Sequence, residues 1–192
     1  RPCSQAIRRH VGGNYLSHRA SRYQESRSVS LTGVRDEVDE LVAAWGRERS
    51  DLDLTPVEVF SRVGRAAKLL DQTRKKAFAA HDLEGWEFDV LAALRRIGSP
   101  YQLSPGRLVK ETLVTSGTMT NRIDRLADRG FVRRTPDPDD RRGVLVVLTM
   151  SGLERVDAAF AELLAHERAL LGSMAPAQRT QLARLLKSLM SS

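Results

Sequence analysis

Between Thr115 and Thr149 the chain reads TSGTMTNRIDRLADRGFVRRTPDPDDRRGVLVVLT, and its polar side chains recur at a spacing that suits one kind of chemistry. At roughly 100° per residue, Met119, Ile123 and Leu126 share one helical stripe, while Thr118, Asn121, Arg125 and Arg129 turn the other way. Ser116 and Thr120 add two hydroxyls to the first turns. Thr, Asn and Arg side chains hydrogen-bond base edges and phosphates, so a helix presenting them on one face suits a major groove. An amphipathic helix with a merely solvated face has the same pattern, and the residues that follow weigh against it. Phe131 to Arg134 and Val144 to Leu148 read as strands, and the turn between them holds Arg141 and Arg142 at its tip. Paired arginines on a hairpin tip fit a narrow minor groove. Asp137, Asp139 and Asp140 would repel phosphate there, so at least one is expected to engage an arginine and fix its direction.

These side chains need elements to position them. Thr115 is placed to cap the polar helix, and Gly130 suits the left-handed position after its last turn. Ser104-Pro105 is an N-cap followed by proline at the first helical position, which opens a short helix to Lys110 or Glu111. Leu113 and Val114 fill the turn between the two helices. Helix, turn, helix and a β-hairpin wing therefore follow in order, a mainly α fold of winged helix-turn-helix type.

This succession, with its DRR-type wing and the Leu148-Thr149 that opens the next helix, closely resembles the MarR family of bacterial transcription regulators over about residues 55 to 190. The resemblance implies double-stranded DNA with a pseudo-palindromic operator as partner, Ser116, Thr118, Thr120, Asn121, Arg125, Arg141 and Arg142 as DNA-binding residues, and dimerisation through the terminal helices.

Composition agrees with one domain plus an extension: 192 residues, 41% of them hydrophobic, are enough for a core. Of the formal net charge of +7, residues 1–33 carry six Arg against one Glu, leaving only +2 for the other residues. That Ser-, Arg- and Gly-rich tail has no sustained apolar period and reads as disordered, without a secretory core or a membrane span. A cytoplasmic protein is expected. Cys3, the single cysteine, excludes an internal disulfide and a cysteine-based zinc site, and His81 and His166 show no metal-ligand spacing. No P-loop, HExxH or nucleophile elbow is present, so neither an enzyme nor a cofactor is expected.

The remaining segments read as helices. Thr55-Pro56-Val57-Glu58 is a capping box opening a helix to about His81, and a second runs from Glu84 to Ile97, ended by Gly98. Thr149 or Ser151 caps a helix through Leu171, and Pro176 opens a last one to Met190. Phe160, Leu163, Leu164, Leu182, Leu185 and Leu189 cover more than one face of these terminal helices, more apolar surface than a solvated pair needs. A second copy, two-fold related so that two recognition helices meet successive major grooves, is the expected partner. The organisation is thus a tail (1–33), an added helix and linker (34–54), body helices (55–100), the winged helix-turn-helix (101–149) and carboxy-terminal dimerisation helices (150–192).

The added helix, Val34 to Arg49, places Val34, Val38, Leu41 and Trp45 on one stripe. It resembles a feature of the urate-responsive branch of the family. Independently, Asp89 lies among Trp86, Phe88, Val90, Leu91 and Leu94 without a partner on its own helix, and a buried carboxylate requires one. Arg122, on the shoulder of the buried stripe of the polar helix, is placed to provide it. The resemblance implies the same bridge, with Trp45 and Arg134 completing a pocket for a small anionic metabolite. On that reading the anion is anchored by Arg134 and packed on Trp45; it repels Asp89, competes for Arg122 and releases the operator. Urate or another oxidised purine suits the charges, as does a di- or tricarboxylate such as trans-aconitate or citrate; the other readings are a DNA-binding protein indifferent to metabolites and an anion-binding or enzymatic protein on a borrowed winged-helix scaffold.

Overall fold

The structure, a computed structural model, describes residues 35–191. The expectation for the basic tail, Cys3 included, and for Val34 lies outside the described residues. The chain divides into two units, one up to Glu58 and one from Val59 onward.

In the first unit, α1 (Glu37–Glu48) opens at Asp36, whose carboxylate accepts the backbone N–H groups of Val38 and Asp39, both at 2.9 Å. Asp39 returns the bond to the Asp36 N–H, so the helix starts three residues later than the apolar stripe suggests. Val38 is buried, but Trp45 keeps half its surface (50%) exposed. Asp53 Oδ1 accepts the Thr55 N–H and opens α2 (Thr55–Ala79), within which the unit boundary falls.

The second unit continues with α3 (Gly85–Arg96), β1 (Gln102–Leu103), α4 (Pro105–Thr112), α5 (Ser116–Asp128), β2 (Val132–Pro136), β3 (Val144–Leu148), α6 (Met150–Leu170) and α7 (Pro176–Met190). The strands form an antiparallel sheet in the order β1-β3-β2, with Val132 opposite Leu148 and Gln102 opposite Val147. β1 has no local pattern in the sequence, because its only pairing is with a strand some 45 residues away. Met119, Ile123 and Leu126 of α5 are fully buried with Leu91 and Leu94 of α3, Leu108 of α4 and Val146 of β3. Each such side chain contributes about 1.5–3 kcal/mol, and together they seat α5 against the body.

Ser104, Thr115 and Thr149 cap α4, α5 and α6 through their hydroxyls. Gly130, at φ +73°, provides the left-handed turn after α5. Leu113, between α4 and α5, adopts φ +54° although it is not a glycine, and is 91% exposed. α7 buries none of its residues. No helix among the described residues is long and apolar enough to cross a membrane.

Candidate nucleic-acid interface and effector residues

The exposed face of α5 carries Ser116, Thr118, Thr120 and Asn121. Thr118 exchanges a hydroxyl hydrogen bond with the cap residue Thr115 at 2.9 Å, and Thr120 donates to the Ser116 carbonyl at 3.1 Å. Thr120 keeps acceptor lone pairs for a base amino group, and whichever hydroxyl of the Thr115–Thr118 pair accepts the shared bond keeps its proton for a base acceptor or a phosphate.

The hairpin tip corrects one expectation. Asp137 and Asp140 accept backbone N–H groups, from Asp139 at 3.0 Å and Arg142 at 2.9 Å, and form no ion pair with Arg141 or Arg142. Short aspartate side chains two residues before an N–H close such turns on their own. They brace the backbone of the tip and leave both guanidinium groups exposed, as a minor-groove contact requires.

Two ion-pair systems flank α5. Towards β2, Arg134 Nη1 meets Asp124 Oδ1 at 2.6 Å. Towards the start of α3, Arg122, Arg125 and Arg129 face the segment Asp82–Glu87. Arg129 Nη1 donates to both oxygens of Glu87 at 2.7 Å, and its Nη2 reaches the carbonyl and carboxylate of Asp82 at 2.6 Å. The Glu87 bond holds the Arg129 guanidinium above its usual pKa, against the opposing effect of burial. Arg125 bonds Glu84 at 3.0 Å and lies 4.7 Å over the Trp86 ring; Arg122 lies 5.4 Å over the same ring. Arg129 is therefore withdrawn from the outward face on which its spacing had placed it.

The expected Asp89–Arg122 bridge is absent. Asp89 is 52% exposed and pairs with Arg74 of α2 at 3.6 Å. The buried acid of α3 is Glu87, at 1% exposure. Successive residues on a helix turn by about 100°, so Glu87 and Asp89 point to opposite sides, and it is Glu87 that shares the buried stripe of Leu91 and Leu94. Of the four residues expected to bind an effector, Arg122 belongs to α5 and Arg134 bonds it, Asp89 lies on the outer side of α3, and Trp45 belongs to the first unit.

A cleft of about 150 Å³ between α3 and α6 escaped the sequence reading. Phe88, Val156 and Phe160 provide apolar walls, and the Arg95–Asp157 pair, 2.8 Å apart, lies beside them. The i, i+4, i+7 spacing of Phe88, Ala92 and Arg95 is the signal that marks its α3 side. Among the described residues no group of acidic, histidine or cysteine side chains is arranged to hold a metal.

Comparison with known proteins agrees with this geometry. Residues 81–143 match the MarR family pattern, a span from the start of α3 to the wing tip. The HTH-type transcriptional regulator PecS of Dickeya dadantii is 37% identical over 150 residues, covering 78% of this chain and 90% of that protein. The HTH-type transcriptional repressor NicR of Pseudomonas putida is 32% identical over 145 residues, covering 73% and 90%. The structure of BpsR from Bordetella bronchiseptica superposes with a TM-score of 0.58 at 28% identity, covering 70% of this chain and 94% of that one. With a winged helix-turn-helix and relatives matched over nine-tenths of their length, the chain belongs to the MarR family of DNA-binding transcription regulators.

Proposed function

We propose that the protein is a ligand-responsive repressor that binds a pseudo-palindromic operator as a homodimer and releases it when a small anionic metabolite binds. It acts where the chromosome is, in the cytoplasm. The observation that carries the reading is that α5 is held on both flanks by ion pairs an anion can compete for. Arg134 is the most direct point of entry. It bonds Asp124 of α5 at 2.6 Å with both side chains nearly half exposed, so an anion drawn to Arg134 loosens the tie between wing and recognition helix. Arg122 offers a second guanidinium on the same helix, with no carboxylate bound to it. This replaces the route through Asp89, whose charge is met by Arg74.

Support for ligand response comes from BpsR, whose DNA binding is regulated by 6-hydroxynicotinic acid. Urate is the first choice for this chain on its resemblance to the urate-responsive branch, of whose matching residues Arg122 lies on α5 and Arg134 bonds it. A di- or tricarboxylate is the alternative, since two arginines attract any compact anion. The α3–α6 cleft, with apolar walls beside Arg95, is the second place an aromatic anion fits.

The test is fluorescence anisotropy of the protein bound to the DNA upstream of its own gene, at fixed pH and stated salt. Urate, xanthine, 6-hydroxynicotinate, citrate and trans-aconitate are titrated in turn. Selective release by one anion is expected, and it should be lost in Arg134→Gln but not in Arg95→Gln. The reverse pattern moves the effector to the cleft. Tight sequence-specific binding that none of the anions disturbs overturns the ligand response and leaves a constitutive regulator.

A further inference from the structure

The arginines that face the start of α3, Arg122 and Arg125 of α5 and Arg129 at its C-cap, are not held alike. Arg129 is committed, with a buried carboxylate on one nitrogen and Asp82 on the other. Arg125 is 53% exposed, and a single 3.0 Å bond to Glu84 Oε1 ties it to an acid that is itself 59% exposed. Glu84 is in turn positioned by Trp86, whose indole N–H donates to Oε2 at 2.6 Å. Acid and indole thus form a rack for the Arg125 guanidinium, whose central carbon lies 4.7 Å over the ring while Nη2 bonds the carboxylate.

Arg125 lies one helical turn after Asn121, beside the outward face of α5. A guanidinium there, at the end of a long flexible stem, reaches either Glu84 or a phosphate at the edge of the groove that receives the helix. It does not satisfy both with the same donors. An exposed arginine–carboxylate bond is weak, about 0–1 kcal/mol and screened by salt, whereas the phosphate array of a duplex is the dominant electrostatic partner of any DNA-binding surface.

We propose that Arg125 exchanges Glu84 for an operator phosphate when the protein binds DNA, so that Glu84 is a built-in brake on operator affinity and Trp86 keeps the guanidinium at the groove edge during the exchange. The proposal rests on α5 lying in the major groove. The brake has a use in a regulator that must let go: it lowers affinity without altering any base contact, and leaves sequence preference intact.

The experiment measures operator affinity of the full chain over a salt series for wild type, Glu84→Gln, Arg125→Gln and the double variant, with thermal melts to confirm folding. Glutamine keeps an acceptor for the indole N–H while removing the charge; Glu84→Ala serves as the second variant. Glu84→Gln should bind about three- to tenfold more tightly at low salt, within what one exposed ion pair at each of two sites allows, with the gain fading as salt rises. Arg125→Gln should lower the slope of log K against log salt by about 0.9 for each lost phosphate contact, and Glu84→Gln should then add nothing. Unchanged or weaker binding by folded Glu84→Gln and Glu84→Ala overturns the proposal. So does a gain that survives in the Arg125→Gln background, since it would mark diffuse repulsion. Arg142→Ala is the control for the groove placement: if neither it nor Arg125→Gln alters affinity or slope, the placement itself has failed.

Discussion

A carboxylate as buried as Glu87 needs a cation and several donors, because an ionised group taken out of water without them costs several kcal/mol. Arg129 provides two hydrogen bonds and the Glu84 backbone N–H a third, at 2.8 Å. The pair joins the end of the recognition helix to the first turn of α3. Removing the arginine strands the acid, so Arg129→Met should lower unfolding stability by about 3–5 kcal/mol, seen as a fall in urea midpoint at unchanged slope. A loss below about 1 kcal/mol would show that the acid finds water or another donor and that the pair is no anchor. Glu87 was legible in the sequence, since it precedes Leu91 by four residues and Leu94 by seven and so continues their stripe. Counting apolar neighbours along the chain pointed instead to Asp89, which stands between Phe88 and Val90 but turns outward. Partners from other elements, such as Arg74 for Asp89 or Asp124 for Arg134, leave no mark in local spacing at all.

At the scale of elements, the sequence was informative wherever structure is local. Ser104, Thr115, Thr149 and Gly130 occupy the cap and stop positions that their chemistry predicts, because each acts on backbone groups two to four residues away. The exceptions are instructive: β1 exists only through its pairing with β3, and α1 begins where Asp36 can cap it rather than where the apolar stripe begins. The junction of wing and α6 shows how tightly elements are keyed together. Thr149 Oγ1 caps α6 and also bonds the carbonyls of Gly130 and Phe131, at 2.7 and 3.1 Å, so one side chain fixes the end of the recognition helix against the next helix. Gly152 sits in the same joint, where a Cβ would lie 2.1 Å from the Phe131 carbonyl oxygen. Gly152→Ala should therefore force the two elements apart and cost about 1–3 kcal/mol by chemical denaturation. It should weaken operator binding too, because the wing would no longer be held in line with α5. A variant with wild-type stability and affinity would mean that this joint yields without consequence.

At the scale of the whole molecule, α6 and α7 present an apolar surface that needs a cover. Phe160, Leu164 and Leu170 of α6 and Leu182, Leu185, Leu186 and Leu189 of α7 are all exposed. So much exposed leucine is unusual for a solitary soluble chain and marks an interface. On the proposed reading the occupant is a second copy, so that one α5 would meet one half-site and two related by a two-fold axis a pseudo-palindrome. Coupling the two half-sites through one interface makes the second contact intramolecular, a gain of about 10²–10⁴ in affinity. Leu185→Glu combined with Leu189→Glu places four like charges in a two-fold interface and should leave the chain folded but monomeric by sedimentation equilibrium. Operator affinity should fall by a comparable factor, while binding to an isolated half-site changes little. A double variant that remains dimeric would exclude α7 from the interface, and a monomer with undiminished operator affinity would show that recognition does not depend on pairing.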